Sequence, residues 1–220
     1  MIELKGILKT LNKGSANENQ LLKDFNMTFR KNEFTLIVGS NGSGKSTLLN
    51  LLAGTIQPDA GTILFDEKNI TSLKDFQRSK WIARIFQDPL SGTAPELSIV
   101  ENFRLASIRT KAKSLRIGTS KIFKEQIRDK IASLGLGLEN KLDQNMGSLS
   151  GGQRQALTLL MATSDETKLL LLDEPVAALD PKTAKTIMNL TNDIVRKSHL
   201  TAIMVTHSMR DVIEYGDRLI

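Results

Sequence analysis

Three short runs of this chain are apolar or β-branched throughout: Phe34-Thr35-Leu36-Ile37-Val38, Leu169-Leu170-Leu171-Leu172 and Ala202-Ile203-Met204-Val205. Runs this short, bounded by polar residues, read as buried strands. Ala83-Arg84-Ile85-Phe86 is a fourth strand, ending at Gln87-Asp88-Pro89. Residues 1–30 behave differently. Ile2 and Leu4, then Leu21-Leu22, Phe25, Met27 and Phe29, alternate approximately with polar positions, and a polar loop over 13–20 interrupts them; this is a strand pattern. Gly61-Thr62-Ile63-Leu64-Phe65 predicts another strand, with a turn at Asp66-Glu67-Lys68-Asn69.

The helical signals lie between these strands. Leu48 to Ala53 predicts a helix stopped by Gly54. From about Glu96 to Lys141 the spacing is helical, with Gly135 and Gly137 separating the last two pieces. Asp180-Pro181 opens a further helix, aspartate as cap and proline in the first turn. Ser208 caps a short last helix expected to stop at Gly216. An apolar strand starts at Arg218-Leu219-Ile220, so the natural chain is expected to extend past Ile220. Alternating strands and helices predict an α/β fold with a mostly parallel sheet and helices on both faces.

Composition narrows the chemistry. The chain has 220 residues and no cysteine, which excludes disulfides, cysteine zinc sites and thiol nucleophiles. His199 and His207 are the only histidines, too few for a histidine metal cage. No apolar run approaches the roughly 20 residues of a membrane span, and Met1-Ile2-Glu3-Leu4-Lys5 lacks a signal-peptide core. The expected location is the cytosol. The net charge of +6 is local: between Arg104 and Lys130 nine Lys or Arg face only Glu125 and Asp129. A solvated helical face explains this. Contact with acidic headgroups or nucleic acid are the sharper readings, and the sparse aromatics there, Phe103 and Phe123, weaken single-strand binding.

The strongest chemical signal is Gly39-Ser40-Asn41-Gly42-Ser43-Gly44-Lys45-Ser46-Thr47, which reads G-x-x-x-x-G-K-[ST] between a buried strand and a helix. That is a phosphate-binding loop in its required context. Glycines let backbone N–H groups wrap a polyphosphate, and the helix N-terminus adds partial positive charge. Lys45 is expected on the β- and γ-phosphates and Ser46 on Mg²⁺. Asp173 ends a buried strand, where a carboxylate can hold Mg²⁺. Glu174 follows and points differently, suited to activating a water in line with the γ-phosphate. In Leu149-Ser150-Gly151-Gly152-Gln153, Ser150 and Gln153 have the spacing of a capping box. Two glycines in a first helical turn cost about 1 kcal/mol each against alanine. Bare backbone at a helix start suits a ligand phosphate.

Taken in order, these motifs make the chain similar, over essentially all its length, to the ATP-binding subunit of an ABC transporter. Residues 39–47 match the Walker A loop, Gln87 the Q-loop, 149–153 the LSGGQ signature and 169–173 Walker B. Glu174 matches the catalytic base, Ala178-Leu179-Asp180 the D-loop and His207 the switch histidine. The resemblance implies one ABC ATPase domain over 1–220. It would have a P-loop NTPase core, an N-terminal antiparallel β subdomain and an inserted helical subdomain at about 88–165. It implies catalytic roles for Glu174, His207 and Gln87, and Mg²⁺ held by Ser46, Gln87 and Asp173. It implies ATP held by residues 39–47 of one subunit and by Ser150, Gly151, Gly152, Gln153 and Asp180 of another, in a head-to-tail dimer. A transmembrane permease would be contacted near Gln87, placing the protein on the cytoplasmic face of the membrane. No nucleic-acid partner is implied.

Some positions depart from the family pattern. Leu11 stands where an aromatic residue often stacks on adenine, so base selectivity is expected to be loose. Ala156 and Met161 replace arginines, and Val176 and Ala177 replace Thr and Ser. The stretches at 91–95 and 154–161 resemble ATPases of import systems that use a solute-binding protein, with an amino-acid-type solute. A soluble ABC ATPase of the cluster-assembly or DNA-repair type is the alternative, although no long coiled coil is present. A degenerate scaffold is disfavoured because Lys45, Asp173, Glu174 and His207 are all present. A P-loop kinase would not need a signature loop.

Overall fold

The computed structural model describes residues 1–109, 118–163 and 166–220. Residues 110–117 of the basic segment lie outside the described residues. The chain begins with β1 (Ile2–Leu11), β2 (Asn19–Phe29) and β3 (Phe34–Ile37), and α1 (Lys45–Ala53) follows the phosphate loop. Next come β4 (Ala60–Phe65), β5 (Lys68–Asn69), α2 (Asp75–Arg78) and β6 (Ile82–Ile85). Then α3 (Ile99–Ser107), α4 (Lys121–Ala132) and α5 (Gly151–Ala162) lead to β7 (Leu169–Asp173). The chain closes with α6 (Pro181–Lys197), β8 (Thr201–Val205), α7 (Met209–Tyr215) and β9 (Arg218–Leu219).

Two sheets form. One is antiparallel in the order β2-β1-β4-β5; the other has five strands in the order β6-β7-β8-β3-β9 and is parallel throughout. The four leucines of β7 are all buried, and the two-residue period of a strand divides them between two cores. Leu169 and Leu171 join α1 and the antiparallel sheet through Leu49, Leu52, Ile2, Phe29 and Ile63. Leu170 and Leu172 join α5, α6 and α7 through Leu159, Met188, Val195 and Val212. One face of the sheet is therefore covered by a single helix and a second sheet, rather than by helices alone. A third apolar cluster gathers residues between Ile99 and Met161, including Phe103, Ile127, Leu138 and Leu157.

Two local expectations shift. The turn expected over 66–69 narrows to Asp66 and Glu67, both at positive φ (47° and 67°). Lys68 and Asn69 pair with Phe65 and Leu64 as a hairpin, the geometry two positive-φ residues favour. The helical piece expected after Gly137 is a series of turns. Gly135 and Gly137 both have positive φ, and the few residues before the Ser98–Asn145 bridge are too short to nucleate a helix.

Candidate nucleotide site

The phosphate loop joins the end of β3 to the start of α1, and its shape is set by glycine backbone. Gly42 has φ 82° and Gly44, the residue capping α1, has φ 95°. Left-handed conformations of this kind cost other residues about 1–2 kcal/mol. Gly44 cannot cap with a side chain, so the first N–H groups of α1 stay available for an anion. The other end of α1 is tightly closed. Gly54 takes a left-handed C-cap, and Arg78, with no exposed surface, donates to the carbonyls of Leu51, Leu52, Thr71 and Leu73. Burial pulls the Arg78 guanidinium down to about 10. A charge at the negative end of the helix dipole suits it.

The Lys45 ammonium donates to the carbonyls of Gly39 (2.6 Å) and Ser40 (2.8 Å), which folds it over the loop. Ser46 Oγ donates to Asp173 Oδ1 at 3.3 Å, joining α1 to the end of β7. Glu174 sits at φ 46°, a strained position for a non-glycine residue and one that concentrates at functional sites. Its Oε1 lies 2.8 Å from His207 Nε2, and its N–H donates to Val205 at the end of β8. Neighbouring parallel strands thus deliver Asp173, Glu174 and His207 to one edge of the sheet. A cavity of about 300 Å³ is lined by Leu11, Asn19, Leu21, Asn41, Gly42, Gly44, Lys45, Ser46, Thr47 and Glu174.

The other candidate residues lie elsewhere. Gln87 is exposed beyond the end of β6 and does not line this cavity. Ser150 caps α5 reciprocally with Gln153: the Gln153 amide donates to Ser150 Oγ (3.3 Å) and the Ser150 amide to Gln153 Oε1 (3.2 Å). None of residues 149–153 lines the cavity of its own chain. Asp180 is exposed and caps α6, accepting from the amides of Lys182 and Thr183. Hydrogen bonds from Thr183, then from Lys182, hold its carboxyl below the usual range.

Sequence reasoning missed Arg84. Its guanidinium pairs with Asp173 Oδ2 at 2.9 Å, donates to Asn50 Oδ1 on α1, and lies over the Phe86 ring at 4.8 Å. Asp173 therefore has one oxygen tied to Arg84 and the other turned to Ser46. Arg84 also borders a second cavity of about 780 Å³, together with Phe76, Gly92, Leu105, Ile108 and Met161. Gln155, buried in α5, was also missed. Its amide reaches the carbonyls of Pro175 (2.7 Å) and Phe86 (3.4 Å), tying α5 to the segments after Glu174 and before Gln87.

Comparison with known proteins gives a consistent result. A family model described as ABC transporter matches residues 22–177. The chain is 39% identical to the tyrosine transport ATP-binding protein of Clostridioides difficile (strain R20291), covering 100% of this chain and 87% of that one. It is 33% identical to the spermidine/putrescine import ATP-binding protein of Mannheimia succiniciproducens, across 100% of this chain and 54% of the relative. Among solved structures, an ATP-binding cassette in a dimeric post-hydrolysis state with ADP and Pi superposes with a TM-score of 0.83 at 28% identity, covering 100% of this chain and 93% of that one.

Proposed function

The chain belongs to the ABC transporter family as an ATP-binding, ATP-hydrolysing subunit, and from that premise we propose that it drives solute import through composite sites shared by two copies. The observation that carries the composite site is the placement of the signature. It is a capped helix start with two glycines, yet it lies outside the phosphate-loop cavity of its own chain. A second copy, head to tail, supplies the phosphate it faces. The dimeric solved relative supports that arrangement.

In this reading the loop N–H groups and Lys45 hold the phosphates. Glu174 takes a proton from the attacking water, a role commonly worth about 10²–10⁴ in rate. His207 orients Glu174 through their contact and approaches the γ-phosphate. Ser46 and Asp173, oxygen donors side by side, suit a hard cation that keeps water and phosphate ligands; Gln87, which lies outside the cavity, is the further ligand that the family resemblance implies. Mg²⁺, when bound, neutralises charge developing on the phosphates. The second cavity, bordered by Arg84 of β6 and by residues of α3 and α5, is the proposed docking place for a permease. No helix among the described residues is long and apolar enough to cross a membrane, so the permease would hold the protein to the cytoplasmic face. A solute-binding protein would complete the system. The tyrosine transport relative favours an amino-acid-type solute.

Light scattering of Glu174→Gln with Mg-ATP tests the central point. The substitution keeps the shape and removes the base, so a dimer is expected. Adding Ser150→Arg should return it to monomer. A Glu174→Gln protein that remains monomeric at saturating ATP, alone and with its permease, would remove the composite site.

A further inference from the structure

The two glycines that open α5 have no conformational reason to be glycine. Neither Gly151 nor Gly152 has a positive φ, and helix propensity favours alanine at both. What excludes a side chain is the neighbouring segment 179–183. A Cβ on Gly152 would overlap the methyl of Thr183, well inside van der Waals contact, and one on Gly151 would come within 3.1 Å of Leu179 Cδ2. Thr183 is itself fixed. Its amide donates to Asp180 Oδ1 at 3.1 Å and Pro181 sets the first turn of α6. The Thr183 side chain also hydrogen-bonds Asp180, which favours the rotamer that aims the methyl at Gly152 over the second one open to a helical threonine.

We propose that Leu179 and Thr183 are positioning residues. They seat on Gly151 and Gly152 and hold the start of α5 at a fixed setting relative to Asp180. This rests on the composite-site reading, because the start of α5 is the surface offered to the partner's nucleotide. The glycines admit the segment 179–183; bare backbone for a phosphate follows from that packing. Gln155 pins the same helix one turn further along to Pro175. Two fixings then make the signature move with the segment that follows Glu174, so a shift at the catalytic end of β7 carries the start of α5 with it.

The test compares four proteins in the Glu174→Gln background: the parent, Gly152→Ala, Thr183→Ala and the double variant. Thermal unfolding, ATP-analogue binding to the monomer and ATP-driven dimerisation by sedimentation are measured on each. Gly152→Ala should lower the unfolding midpoint although alanine is the better helix former, and weaken dimerisation by about tenfold. Monomer binding of the analogue should not change. Adding Thr183→Ala should restore the midpoint and bring dimerisation back to within about threefold of the parent, the non-additivity expected of residues in contact. A double variant that dimerises as poorly as Gly152→Ala overturns the proposal, because the phosphate itself would then need the bare backbone. A restored midpoint with dimerisation still lost also overturns it, since Thr183 would only be packing. If the parent does not dimerise, the composite-site reading fails instead. The unfolding cycle then decides alone: additive midpoints reject the seat and non-additive ones support it.

Discussion

Two glycine-rich loops on this chain look alike in sequence and differ in what they ask of glycine. In the phosphate loop the demand comes from the backbone: Gly42 and Gly44 sit at φ 82° and 95°, and a Cβ on Gly42 would meet nothing within 4 Å. In the signature loop the demand comes from neighbours, with Gly152 buried against Thr183 and no positive φ. The first loop is complete within its own chain, since Gly42, Gly44, Lys45 and Glu174 line one cavity. The second is a surface that waits for another molecule. A dihedral requirement is local and survives any change in the surroundings; a packing requirement can be relieved by trimming the residue opposite.

The largest expected effect separates the loops by where binding is made. Lys45→Ala removes charged hydrogen bonds worth about 1.5–3 kcal/mol each, so a fluorescent ATP analogue should bind the monomer at least tenfold more weakly. Ser150→Arg should leave that affinity unchanged. Equal losses in the two variants would place both loops on one nucleotide in one chain. Next is Gly44→Ala. The left-handed backbone costs alanine about 1–2 kcal/mol, so monomer binding should weaken by about tenfold. Although Leu21 would lie 3.3 Å from the new Cβ, adding Leu21→Ala should not recover it. Recovery would erase the distinction from Gly152. The smallest effect concerns the base. Leu11, Leu21 and Asn19 line the cavity, and its described lining has no aromatic ring. One missing stack is worth roughly 1–3 kcal/mol, so GTP and ATP should be hydrolysed at rates within about tenfold of each other. A strong preference for ATP would show that another residue supplies the stack.

The phosphate loop, the β7 carboxylates and the signature were legible because each is a contiguous string whose spacing carries its chemistry. The central strands were legible because four leucines in a row suit a strand buried on both faces. The division of those leucines between two cores was not legible, since a continuous run gives no sign of which residue faces which way. Arg78, Arg84 and Thr183 stayed invisible for a related reason. A charged or polar residue reads as surface in the sequence, and only the packing of distant segments buries it, as with Arg78, or half-buries it, as with Arg84 and Thr183. Arg84 reaches Asp173 and Asn50 from a different strand, so no local pattern marks it. The turn at 66–67 was misjudged in extent because its two defining residues, Asp66 and Glu67, are not the glycine or asparagine that usually announce positive φ.

The alternation of β7 also bears on how such a chain can change through evolution. Substitutions among Leu169, Leu170, Leu171 and Leu172 alter volume at one position at a time. Inserting or deleting a single residue in that strand would exchange its two faces at once. It would also carry Asp173 along the strand by about 3.3 Å, away from Ser46 and Arg84, and turn Glu174 off His207. Variation in length is thus filtered by chemistry before it is filtered by folding. The loop over 12–18 between β1 and β2 is exposed, and a change in its length would reach the nucleotide cavity only through Leu11 and Asn19 at its two ends.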